Sequence, residues 1–107
     1  MSTVVINQKK YTVPEITFKH LPMIEKCGLS VFDLLSKNYI FTSAQVFVCI
    51  VVGCDTEQAD YLLEQHFRGG GQIMPLYEAF STALYQSGFF AEMLGRETKD
   101  QTPAENN

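Results

Sequence analysis

The stretch "HFRGGGQIMPLYEAF", His66 to Phe80, decides between two kinds of fold. Three glycines follow an arginine and precede an apolar stripe. That is the outline of a phosphate-cradling loop in an α/β protein, and equally of a corner between two helices. A phosphate loop needs a strand before it, a helix start after it and a Lys-Ser/Thr pair to hold the charge and its metal. Here the residues before the glycines, 56–67, are helical in pattern: Ala59, Leu62, Leu63, His66 and Phe67 share one face, and Glu57, Gln58, Asp60 and Glu64 share the other. Gln72-Ile73 follows the glycines where the Lys-Ser/Thr pair would stand. The triplet therefore reads as a corner. Gly69 closes one helix, Gly70 and Gly71 let the chain reverse so that two amphipathic helices pack antiparallel, and Arg68 complements the dipole of the first. The second helix carries Ile73, Leu76, Tyr77, Phe80, Ala83 and Leu84 as its stripe. Ser87-Gly88 ends it, and a left-handed Gly88 would fold Phe89 back on Leu84.

Upstream of this pair, "AQVFVCIVVGC" (Ala44 to Cys54) is harder to read. Its β-branched residues suit a buried strand, whereas Thr42 with Gln45 makes a capping box that suits a helix. We read a helix, apolar on every side from Val46 to Val52, and so either central or in contact with something outside the domain. Before it, "SVFDLLSKN" is a short helix in which Ser30 and Asp33 form a weak capping-box variant and Val31, Leu34 and Leu35 point inward. In "ITFKHLPMIEKCG", Phe18, Leu21, Ile24 and Cys27 fall at helical spacing and Gly28 is the stop. The start of that helix is open, because Thr17 could cap it while Pro22 suits a first turn. The chain begins with "TVVINQKKYTV", two short alternating strands around the polar tetrad Asn7-Gln8-Lys9-Lys10, as in a β-hairpin. The expected class is α+β, mostly α: a short N-terminal hairpin followed by about five helices in one domain, residues 1–95. Residues 96–107 hold no large apolar side chain and are expected to form a disordered polar tail.

Composition narrows the function. At 107 residues one core is affordable and a second domain is not. The net charge is −4, and Lys9-Lys10 is the only basic cluster, so a nucleic-acid partner is not expected. The apolar run at 44–54 is about half of the ~20 residues of a membrane span, and no signal-type segment opens the chain. A soluble, cytoplasmic protein without a membrane partner is the expectation. The odd count of three cysteines, Cys27, Cys49 and Cys54, all within apolar runs, suits a reducing compartment and thiols that act as small hydrophobes.

The residues that invite chemistry each have a plainer explanation. Cys49, Cys54 and His66 suggest a metal, but the Cys-x4-Cys spacing is apolar and no fourth ligand follows at finger-like distance. Cys27 could meet His20 or His66 as a nucleophile pair, yet nothing positive surrounds either cysteine to lower its pKa. His66 sits on the apolar face, where a hydrogen-bonded core or boundary histidine is the common outcome. Glu57, Asp60 and Glu64 make a solvated acidic face. No enzyme, cofactor, metal or small-molecule substrate is expected.

Phe89, Phe90, Met93 and Leu94 continue after the last good helix, just before the chain turns polar. Either they pack under the hairpin or they form a surface for a partner. We take Phe90, Met93 and Leu94, with any exposed residues of 46–52, as the expected contact surface.

The order of these pieces resembles the tail assembly chaperones of long-tailed bacteriophages, particularly those of phages and prophages of Gram-positive bacteria. The matching features are "VVINQKKYTV", the "ITF" lead-in to a helix ending "IEKCGLSVFDLL", the apolar middle helix, "EQADYLLEQHFRGGG" and the closing "LYEAFSTALYQSGFF". They cover about residues 3–94, and the glycine corner followed by a helix ending in Ser-Gly-Phe-Phe is the most specific part. The resemblance implies a mostly helical domain that binds the tape measure protein, keeps it soluble and helps recruit tail tube subunits in the host bacterial cytoplasm, without joining the mature virion. Self-association along a long client also fits. Pro22 and the three cysteines are departures from the family pattern. The alternatives are a small phage structural part, such as a head-tail connector or completion protein, and a non-enzymatic interaction adaptor.

Overall fold

Asn7 and Gln8 both hold positive φ, 52° and 67°, which is the two-residue turn that matches the twist of paired strands. In this computed structural model, which describes residues 2–30, 33–34, 37–90 and 92–93, the turn joins β1 (Thr3–Ile6) to β2 (Lys9–Thr12). The strands are antiparallel, with Val4 opposite Tyr11 and Ile6 opposite Lys9. The turn is thus Asn7-Gln8 alone, and Lys9 and Lys10 belong to β2. Strand alternation puts Val4 and Ile6 into the core and Thr3 and Val5 into solvent. Val13 N–H extends the ladder to Ser2 O at 2.9 Å, and Val13 and Ile16 then enter the core.

The first helix resolves both of its competing starts. Phe18–His20 is a 3-10 turn, and α1 (Leu21–Lys26) follows with Pro22 in its first turn, where no backbone N–H is needed. Thr17 and His20 close the entry reciprocally: His20 N–H donates to Thr17 O, and Thr17 N–H donates to His20 Nδ1, each at 3.0 Å. Gly28, at φ 93°, ends the segment. Ser30 N–H then donates to the Asp33 carboxylate at 3.2 Å and Leu34 is buried; Val31 and Leu35 lie outside the described residues.

The ambiguous run is helical. After a 3-10 turn at Lys37–Tyr39, α2 spans Ile40–Val48 and widens into a π-helical turn, Cys49–Gly53. Cys54 N–H closes that turn on Cys49 O at 3.3 Å. Burial decides against the strand: Val46, Phe47 and Val48 are fully enclosed, because α3 (Thr56–Arg68) and α4 (Ile73–Gln86) both pack on α2. Phe47 of α2 stacks on Phe80 of α4, ring centroids 5.0 Å apart, and burying such a ring contributes roughly 2–3 kcal/mol. Two expectations change here. Thr42 lies inside α2, so it caps nothing, and Gln45 instead donates to Asp60 of α3 at 2.6 Å. The two helices flanking the glycines pack more on α2 than on each other.

Asp55 caps α3 by accepting from Gln58 N–H at 2.9 Å. Ala59, Leu63 and His66 are buried on its inner face, while Phe67, placed on that face by periodicity, is 37% exposed at its edge. On α4, Leu76, Phe80, Ala83 and Leu84 are buried as the stripe requires. The helix ends differently from the left-handed glycine cap its sequence suggests. Ser87 is extended, Gly88 lacks a positive φ, and helix resumes at residues 88–90. Buried Ser87 is the joint: its hydroxyl donates to Ile16 O and accepts from Phe90 N–H at 3.2 Å, capping the new turn. Phe89 meets Phe18 edge-on at 5.8 Å. The expected polar tail, 96–107, lies outside the described residues. Among those described, no single helix is long and apolar enough to cross a membrane.

Candidate functional site

The glycine corner is a structural joint with a defined task for each residue. Gly69 ends α3, and Gly70 takes φ 95°, a conformation that strains other residues. Gly71 is needed for space: a Cβ there would stand 2.3 Å from His66 Nε2. His66 is held from both sides, since Asn7 N–H donates to its Nδ1 at 2.9 Å and its Nε2 lies 3.2 Å from Gln72 O. The neutral ring with its proton on Nε2 satisfies both bonds at once. His66 is thus a buried, hydrogen-bonded histidine that ties the hairpin turn to the corner. The N–H groups of the three glycines are all spent on α3 carbonyls, Gly69 on Gln65, Gly70 on Phe67 and Gly71 on His66, which leaves none of them for a phosphate.

The three cysteines converge on one pocket of about 360 Å³, also lined by Met23, Lys26 and Asp55. Burial pushes the Cys49 thiol up to about 12, helped by its neighbours Cys54 and Cys27. Cys54 is raised by burial and then by the Asp55 charge, and Cys27 by burial and then by Asp60. Thiolate is the nucleophile and the metal ligand, so these surroundings suppress both roles. Among the described residues, no group of three His, Cys, Asp or Glu side chains is placed to hold a metal ion.

The expected contact surface at the C-terminus is corrected. Phe90 is 0% exposed, enclosed in the core, and edge-on to Phe89 at 5.1 Å. Ser87, tied to Ile16 O, restarts the helix, and the ring at position 90 goes inward. Met93 is half-buried against the same core, and Leu94 lies outside the described residues. In the run 46–52, only Val51 and Val52 are more than slightly exposed, and both still pack on the core.

Exposed aromatic surface lies elsewhere. Phe41, in the first turn of α2, is 65% exposed, and with Phe67 of α3 it borders a groove of about 280 Å³. Ala44 and Leu63 form its buried floor, and Gln45 and Asp60, bonded to each other, line its polar side. Phe18, 63% exposed, stands edge-on to Phe89. The groove escaped sequence reasoning because placing a cap at Thr42 put Phe41 outside the helix. The usable signal was Phe67, the last apolar residue of α3, where a stripe runs off the covered face.

No protein-family model, curated protein or solved structure matches the chain.

Proposed function

We propose that this chain is a tail assembly chaperone of a long-tailed bacteriophage or prophage, which binds the tape measure protein, keeps it soluble and helps recruit tail tube subunits. The observation that carries the reading is a well-filled core combined with large rings left at the surface, Phe41 and Phe67 flanking a groove. A protein that holds a long amphipathic client needs adaptable apolar grooves on a stable body, and helix-in-groove recognition supplies affinity without reaction chemistry. The order of elements also fits the resemblance: a hairpin, a short first helix, an apolar central helix, the glycine corner and a last helix closing at Ser-Gly-Phe-Phe.

The test is co-expression with the longest reading frame just downstream in the genome. The long product is expected to gain soluble fraction and to co-elute with this chain. A long product equally soluble alone, which never co-elutes, overturns the chaperone role. Recovery of this chain from purified mature particles would then favour a head-tail connector or completion protein.

A further inference from the structure

We propose that the groove between α2 and α3 is the docking site for a basic amphipathic helix. The proposal rests on the chaperone reading and names the surface that holds the client and the client's chemistry. Phe41 and Phe67 line the groove together with buried Ala44 and Leu63, so an apolar side chain entering it meets apolar surface. A helix presents such side chains at i, i+3/i+4 and i+7, in line with the axis of a groove between two helices.

Charge selects the kind of helix. Asp60 lines the groove, and Glu57 and Glu64, three residues before it and four after it on α3, stand on the same exposed side. The row runs about 10 Å along the helix. Gln45 meets one Asp60 oxygen at 2.6 Å, and Arg68 pairs with Glu64 at 2.8 Å with both side chains largely in solvent, so the row still presents net negative charge. Lysine or arginine flanking the partner's apolar stripe neutralises it. A second copy of this chain, at net charge −4, meets it with like charge, and nucleic-acid phosphates and anionic lipids are repelled for the same reason.

The full chain is titrated, by fluorescence anisotropy, with two synthetic helices of about five turns that share a leucine stripe, one flanked by lysines and the other by glutamates. The lysine helix is expected to bind more tightly. Asp60→Lys should abolish that preference, since it leaves two carboxylates against two cations along the row, and Phe41→Ser should weaken the lysine helix about tenfold at an unchanged unfolding midpoint. An unaltered preference in Asp60→Lys, or undiminished binding in Phe41→Ser, overturns the assignment. Co-expression separates the two readings. If the Phe41→Ser, Asp60→Lys chain still solubilises the long downstream protein, the groove is wrong and the chaperone role stands. If wild type shows the charge preference but leaves the long protein insoluble, the groove stands and the chaperone role falls.

Discussion

Gly71 shows how a residue with no side chain can be fixed by a side chain elsewhere. The His66 ring occupies the space of its missing Cβ and is itself anchored at both nitrogens. Gly71→Ala must displace that ring and break its bonds, and should destabilise the fold by about 2–3 kcal/mol. Gly69→Ala, with its nearest neighbours at 3.4 Å, should change stability far less. Chemical denaturation of Gly71→Ala, His66→Ala and the double variant checks the mechanism: once His66 is gone, Gly71→Ala should cost about 1 kcal/mol or less. Strict additivity would place the strain elsewhere. The sequence showed that three glycines make a corner, yet not why the third must be glycine. That depends on a ring aimed by a backbone N–H fifty-nine residues away.

Helices with one wet face record their burial as a 3.6-residue period, so α3 and α4 were legible from Leu63, Leu76, Phe80 and Leu84 alone. A stretch buried all round, as residues 46–50 are, records nothing periodic, and only packing by α3 and α4 settles it as helix. Ends were the least legible part. Ser and Thr hydroxyls suit many local bonds: Thr42 resembled a cap and is interior, while Ser87 ends α4 as its sequence suggests and also caps the turn that follows. Missing that second turn carried Phe90 to the surface. Phe90→Ser is now expected to destabilise the protein by about 3 kcal/mol or more, since it empties a core site and buries a hydroxyl. Met93→Ser, at a half-buried position, should cost clearly less. A Phe90→Ser variant with an unshifted denaturation midpoint would return that residue to the solvent-facing side of the ledger.

At the level of the molecule, the acid side of the stability profile should carry the mark of His20. Burial, and then the charge of Lys19, hold its imidazole below the ordinary value of 6.5. The folded state therefore binds fewer protons than the unfolded chain below that value. The contribution is complete above pH 6.5 and is lost as pH falls toward the folded-state value. Denaturant midpoints at about pH 7.5 and about pH 5 should differ in wild type and differ less in His20→Asn, which keeps an acceptor for Thr17 N–H but does not titrate. An equal drop in both proteins would assign the acid sensitivity to other groups.

The bond from Asn7 to His66 also sets an order of events at the ribosome. A lone two-stranded hairpin is marginal in water, and the partners that secure this one, the His66 ring and the inner faces of α3 and α4, are encoded far downstream. At roughly 5–20 residues per second, the fifty-nine residues between Asn7 and His66 take roughly 3–12 s to translate. Throughout that interval Val4 and Ile6 have no core to enter. The segment synthesised first is thus among the last to be locked, and a nascent chain halted before the glycine corner exposes the apolar strand face, Val4 and Ile6, that the finished protein covers.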